Sequence, residues 1–189
     1  MMKMKETNPQ IARQFNRSAR YIDDLLTINN DGLMKKYMKN MYPAELELKR
    51  ENSKTDKSAS YLDLQLDVLN GEIVTSLYDK RDDFPFKIVN FPDLSGNIPQ
   101  DGSYGVFIAQ TLRYAKACAK YTDFITRTLM FETQLINFHA KILDRKLHEW
   151  QTRLDKVAVM AKFGHDTNQI ISDLTVITTH MEQNKNQET

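Results

Sequence analysis

The chain has 189 residues, 41% hydrophobic and 27% charged, with a formal net charge of +1. That suits one domain, or a small domain with an appendage, of ordinary globular composition. No apolar run approaches a membrane span, Met1–Gln10 lacks the apolar core of a secretory signal, and the single cysteine, Cys118, excludes an internal disulfide and a cysteine-cluster zinc site. The expectation is an intracellular protein with no membrane partner, nucleus and cytoplasm being undecided.

Charge is unevenly spread. Residues 1–60 carry 12 Lys and Arg against 8 Asp and Glu, residues 61–110 carry 3 against 8, and residues 111–189 carry 11 against 9. The basic excess includes Lys35, Lys36, Lys39, Lys49, Arg50, Lys54 and Lys57. Such a flank suits a phosphate-bearing partner, and equally suits a solvated helix face followed by a charged loop.

In chain order, Arg20–Ile28 reads as strand, tight turn, strand, with Tyr21-Ile22-Asp23-Asp24 at its turn. Asn29-Asn-Asp-Gly32 is a turn cluster. Leu33, Met34, Tyr37, Met38 and Met41 then mark one face of a short helix, with Lys35, Lys36 and Lys39 off that face and Pro43 closing it. Glu45-Leu-Glu-Leu-Lys49 alternates and predicts a strand, while Arg50–Ser60 reads as a polar loop. Tyr61–Val68 alternates as well, with Leu62, Leu64, Leu66 and Val68 on one face. Asn70-Gly71 supplies the two positive-φ residues of a type I′ turn, and Ile73–Tyr78 returns as the partner strand.

Asp79–Gly105 is rich in proline and aromatic residues and reads as loop. From Tyr104 the pattern is helical: Tyr104, Ile108, Leu112, Ala115 and Ala119 recur every three or four residues, and Cys118 falls on the apolar side as an inert thiol. A long helix is expected from Thr126 to Phe163. There Leu129, Ile136, Leu143, Trp150 and Val157 repeat every seven residues, Ala140, Leu147, Leu154 and Ala161 fall four positions after the last four, and Gly164 is the C-cap. This seam reads as bundle packing or as a self-associating coiled coil. Thr167–Met181 is a weaker helical stretch because Thr175–Thr179 is β-branched, and the tail from Glu182 is polar. His139, His148, His165 and His180 show no metal-binding spacing. The fold class is α+β: mixed strands with one helix, then a helical half, with a boundary near Pro99–Gly105.

Asp23 and Asp24 are the chemical focus. Two carboxylates at a hairpin tip can hold magnesium through oxygen ligands, sharing it with waters and substrate phosphates. With a third carboxylate such a pair can hold two ions about 3.5–4 Å apart, one activating an attacking hydroxyl and the other stabilising the leaving oxygen. Taken alone, Tyr-x-Asp-Asp is a short motif; its apolar flanks on both sides set it apart from a solvated surface turn.

Arg20-Tyr-Ile-Asp-Asp-Leu-Leu26 resembles the catalytic palm motif of reverse transcriptases, the RNA-directed DNA polymerases of retroelements. Tyr61-Leu-Asp-Leu64, the Asn70-Gly71 turn and Thr75-Ser-Leu-Tyr-Asp-Lys-Arg81 resemble the element that follows it in the Penelope-like and related branches, with Tyr61 for Phe and no Pro-Thr after Tyr78. Asp82–Pro92, Asn97-Ile-Pro99 and Tyr104-Gly-Val106 extend the likeness, which covers roughly residues 13–125.

The resemblance implies a partial palm over 13–100 (β-hairpin, helix, strand, primer-grip hairpin), a helical thumb-like region over 101–181, and disordered ends at 1–12 and 182–189. Asp23 and Asp24 would be the paired metal ligands for two magnesium ions in the parent enzyme. Tyr21 would lie near the nucleotide and primer terminus, and Lys49 near the nucleotide's phosphates. Tyr61 and Leu62 would belong to the primer grip. The implied partners are an RNA template, a DNA primer and a nucleoside triphosphate. The family's third metal-binding aspartate lies upstream on another strand. Here 22 residues precede Asp23 and no aspartate occurs among residues 1–21, so the chain is expected to be a polymerase fragment, inactive by itself. The competing expectation is a non-catalytic interaction or nucleic-acid-binding protein derived from a retroelement, self-associating through residues 126–163.

Overall fold

In the computed structural model, residues 8–29, 32–49, 57–86, 88, 91, 93–135, 139, 141–143, 145, 146, 148 and 160–187 are described. They form a mixed α+β structure that divides into two compact units, Met1–Leu62 and Asp63–Thr189. The division falls within the span expected to be a single palm-like region.

The first unit opens with α1 (Pro9–Gln14), where residues through 12 are expected to be disordered. Its start is chemically defined: Asn8 caps it by accepting from the Ile11 N–H at 3.4 Å, and Pro9 occupies the first turn. Strands β1 (Ser18–Tyr21) and β2 (Asp24–Thr27) pair antiparallel in the register Ser18↔Thr27 to Tyr21↔Asp24, the hairpin that the β-favouring residues of Arg20–Ile28 predict. Then comes α2 (Leu33–Met41), with its apolar residues half-buried and Lys35, Lys36 and Lys39 exposed. It ends at Tyr42, whose extended backbone (ψ 149°) is what the following Pro43 requires. Phe15 is buried and meets the Tyr37 ring edge-on at 6.4 Å, which ties α1 to α2.

Glu45–Lys49 is not a strand. Ala44 and Glu45 form a turn, the Leu46 N–H donates to the Pro43 carbonyl at 3.1 Å, and residues 46–49 have no regular structure. Alternation alone cannot make a strand where no partner supplies ladder hydrogen bonds. A later strand, β3 (Ser58–Tyr61), lies against β2.

The expected strand Tyr61–Val68 is interrupted. Leu62 and Asp63 form a turn with Leu62 at φ 55°, and β4 (Leu64–Leu69) begins after it. The Asn70-Gly71 hairpin is as expected. Asn70 (φ 52°) and Gly71 (φ 85°) carry the positive angles, and β4 pairs with β5 (Glu72–Leu77) from Leu64↔Leu77 to Leu69↔Glu72. Leu64, Leu66 and Val68 face Leu77, Thr75 and Ile73. Burial falls along this face: Leu77 is in the core, while Val68 and Ile73 at the tip are exposed.

The second unit's core lies between this hairpin and the helices. A 3₁₀ turn (Lys80–Asp83) leads through loop to α3 (Gln100–Ala117), which starts one turn earlier than Tyr104 because Pro99 sets its N-cap. Tyr104, Phe107, Ile108, Tyr114 and Ala115 are buried on its inner face, and Cys118 follows at the C-cap, fully buried. Burial raises the Cys118 thiol pKa, consistent with an inert side chain. The Ala119 N–H donates to the Thr75 carbonyl at 2.7 Å, tying the helix connection to β5. Next, α4 (Tyr121–Gln134) buries Phe124, Thr128 and Phe131.

The expected helix from Thr126 to Phe163 is not continuous. α4 ends at Leu135, an extended C-cap (ψ 128°), and residues 160–163 are a 3₁₀ turn closed by Gly164 at φ 70°. Described residues at 141–143, 145, 146 and 148 are helical, with Leu143 buried. Ile136, Ala140, Leu147, Trp150, Leu154 and Val157 lie outside the described residues.

The last helix, α5 (Thr167–Gln187), runs through the β-branched stretch and through most of the tail expected to be disordered. Ile170, Ile171, Leu174 and Thr178 are buried. The threonines are accommodated by back-bonding: Thr175, Thr178 and Thr179 hydroxyls donate to the carbonyls of Ile171, Leu174 and Thr175 at 2.8–2.9 Å. The Tyr121 hydroxyl donates to Asp173, which joins α5 to α4; burial, together with this hydrogen bond, pushes the phenol pKa up.

Candidate metal-binding hairpin

Tyr21 and Asp24 are the last cross-strand pair of β1 and β2, so Ile22 and Asp23 alone form the turn. The apolar and β-branched residues around Leu25–Ile28 favour the strands, while Asp23 and Asp24 are exposed. Tyr21 and Ile22 are exposed as well, at 57% and 73%. Ile22 adopts φ 50°, a conformation costly for a β-branched residue. It is held there from outside: the Arg20 Nε donates to the Ile22 carbonyl at 2.9 Å, and the Arg20 guanidinium lies over the Tyr42 ring at 5.1 Å. Arg20 has no assigned role among the site residues expected from sequence; the clue to it is an arginine two residues before a turn with no glycine.

The second Tyr-aliphatic-Asp segment repeats this geometry. Tyr61 ends β3 half-buried, and Leu62 takes φ 55° with 43% exposure. Lys49 is exposed on a segment without regular structure rather than on a strand. The structure thus brings Tyr21, Asp23 and Asp24 together on one turn, and leaves Lys49 and the Tyr61–Leu62 pair on separate segments.

The paired carboxylates are acceptor-only oxygens in solvent, suitable donors for a hard cation that keeps part of its water shell. Among the described residues, no three His, Cys, Asp or Glu side chains group closely enough to share a metal. Two carboxylates supply part of a two-ion arrangement, which needs a further carboxylate.

The best-organised polar cluster is elsewhere, in the second unit just after β5. Asp79 caps the 3₁₀ turn by accepting from the Arg81 N–H at 3.0 Å. The Arg81 Nε donates to both Asp79 oxygens at 2.9 and 3.0 Å, and its guanidinium lies over the Phe91 ring at 4.7 Å. Arg127 pairs with Asp82 and donates to the Leu77 carbonyl at 3.3 Å. This cluster encloses room for about one water, between Asp79, Arg81, Tyr114, Arg127 and Gln134. Its arginines are already engaged by Asp79, Asp82 and the Leu77 carbonyl, and its small volume suits a structural knot more than a substrate site. No family model, curated protein or solved structure gives a significant match to the chain.

A direct test of the turn follows from its strain. Ile22→Asn should stabilise the first unit by about 1 kcal/mol, because asparagine tolerates positive φ and Ile22 forfeits little burial. The urea midpoint reports it; a lower midpoint would mean that Ile22 packs in a way its exposure does not show.

Proposed function

We propose that this chain comprises palm and thumb segments of a retroelement reverse transcriptase of the Penelope-like or a related branch, with Asp23 and Asp24 as its paired metal-binding carboxylates. The observation that supports this best is the two-residue turn between paired strands, which presents both carboxylates to solvent. The Asn70-Gly71 hairpin, at the expected distance downstream, agrees with the same reading. Tyr21 flanks the metal site and would border the nucleotide. Lys49 offers an exposed ammonium for phosphate, and Tyr61 and Leu62 would contact the primer. Magnesium, when bound, neutralises charge on the phosphates of the nucleotide. These residues supply one partial metal site, so the activity assigned to them is binding of an RNA–DNA template–primer and nucleotide, without nucleotidyl transfer by this chain on its own. The alternative is a non-catalytic interaction or nucleic-acid-binding protein self-associating through residues 126–163, most of whose seam residues lie outside the described residues.

Manganese, as a paramagnetic substitute for magnesium, provides the test. Titration followed by electron paramagnetic resonance should show one weak site in the native chain. Asp23→Asn with Asp24→Asn should weaken it about tenfold or more, while Glu45→Gln with Glu47→Gln should leave it unchanged. Equal manganese binding by both variants would remove the metal site from the hairpin.

A further inference from the structure

The residues just before the metal-binding hairpin form a groove with no part in the reading above. Two contacts position its walls. Phe15, buried against Tyr37, turns the chain at the end of α1, and its N–H donates to the Ala12 carbonyl at 3.1 Å. The Ile28 N–H donates to the Arg17 carbonyl at 3.1 Å, which continues the β1–β2 ladder by one residue and fixes Arg17 opposite Ile28. The result is an open groove of about 510 Å³, lined by Arg13, Gln14, Asn16, Arg17, Ile28, Asn29 and Leu33.

Its chemistry is one-sided. Arg13 and Arg17 are both exposed, and among the described residues neither forms an ion pair. Among the described residues no acidic side chain lines the groove, which holds two guanidinium groups beside three side-chain amides. Guanidinium forks match phosphate oxygens in bidentate geometry, and amides add neutral hydrogen bonds to sugar or phosphate. None of the lining residues is aromatic, so no ring offers a stacking platform for a base. The groove is also open, where a free nucleotide would need enclosure to bury most of its surface.

We propose that this groove binds the sugar–phosphate backbone of a nucleic-acid strand, with Arg13 and Arg17 each engaging a phosphate. The identity of the ligand rests on the reverse-transcriptase reading; the groove and its charge do not. The site reads no sequence, because it offers phosphate contacts and no base contacts. It lies on the same unit as Asp23 and Asp24 and gives that unit a hold on the strand independent of the metal.

The test is a fluorescence-anisotropy titration of the full chain with a labelled RNA–DNA duplex and with single-stranded RNA, repeated across salt concentrations. Arg13→Gln with Arg17→Gln should reduce the slope of log affinity against log salt by about 1.5–2, and low-salt affinity about tenfold. Lys185→Gln, a loss of charge outside the palm and thumb segments, should leave the slope within error. Arg13→Lys with Arg17→Lys keeps the charge and should retain most of the slope, which guards against misfolding of the glutamine variant. If the native chain binds strands with a slope that the glutamine variant preserves, the groove assignment falls and the polymerase reading survives. If a free nucleoside triphosphate displaces the strand at equal phosphate concentration, the ligand is a nucleotide and the backbone assignment is overturned. A native chain that binds no strand at low salt would count against both.

Discussion

Phe131→Ala is expected to cost about 4 kcal/mol, a large fraction of the stability of a domain. Phe131 is 1% exposed and lies where three segments of the second unit meet. The Phe91 ring meets it at 4.4 Å from the loop, Phe107 stacks on it at 5.6 Å, and Tyr114 meets it edge-on at 6.0 Å. Truncation removes its transfer energy and also empties a space that rings on α3 and the loop cannot collapse into without leaving their own partners. Phe131→Leu refills most of the volume and should cost about 1–2 kcal/mol. Urea denaturation followed by circular dichroism measures both. A loss below about 1 kcal/mol for the alanine variant would mean that Phe131 is not the centre of the core.

Arg81→Gln is expected to cost about 2 kcal/mol, because a half-buried Asp79 then loses a bidentate cation. The effect should carry a pH signature. Hydrogen bonding to Arg81 holds the Asp79 carboxyl below the usual carboxylate range. A depressed folded-state pKa stabilises in full above the unfolded value of about 4. That stability is lost as pH falls from there through the folded value. The gap between native chain and Arg81→Gln should therefore be constant from neutral pH down to about 5, then close in more acidic solution. Asp79→Asn combined with Arg81→Gln should cost less than the sum of the two single changes. Strict additivity across that double-mutant cycle would show that the pair is not coupled.

The elements legible in the sequence were those whose cause is local. Leu33–Met41 shows its helical face in five apolar positions, and Pro43 dictates its end. Asn70-Gly71 tolerates the angles that a two-residue loop imposes, so the β4–β5 register followed from two residues. The Arg20–Ile28 hairpin was legible from its β-favouring flanks, although its turn holds Ile22 rather than a residue suited to positive φ. The candidate site was half legible. Its carboxylates could be named, whereas Arg20 bonding the Ile22 carbonyl and the groove at Arg13 and Arg17 exist only once the segments are packed.

Where the reading failed, non-local partners decided. Glu45–Lys49 alternates as well as β4 does, but β4 has β5 to complete its hydrogen bonds, and among the described residues Glu45–Lys49 has no such strand. The heptad spacing across 129–157 is real, yet the chain leaves the helix at Leu135, whose side chain is buried in the core. Leu135 and Leu143 join the same buried core cluster as Phe131, and apolar burial of this kind, more than propensity, sets where helices run. Thr175–Thr179 disfavours a helix intrinsically, and the burial of Ile170, Ile171 and Leu174 overrides it. The sequence by itself determined which short segments form helices and hairpins, and that two carboxylates sit at a turn, because propensity and turn chemistry act over a few residues. Tertiary structure decided where helices stop, which alternating run becomes a strand and which arginines face a common groove, because those depend on apolar burial and hydrogen-bond partners far apart in the chain.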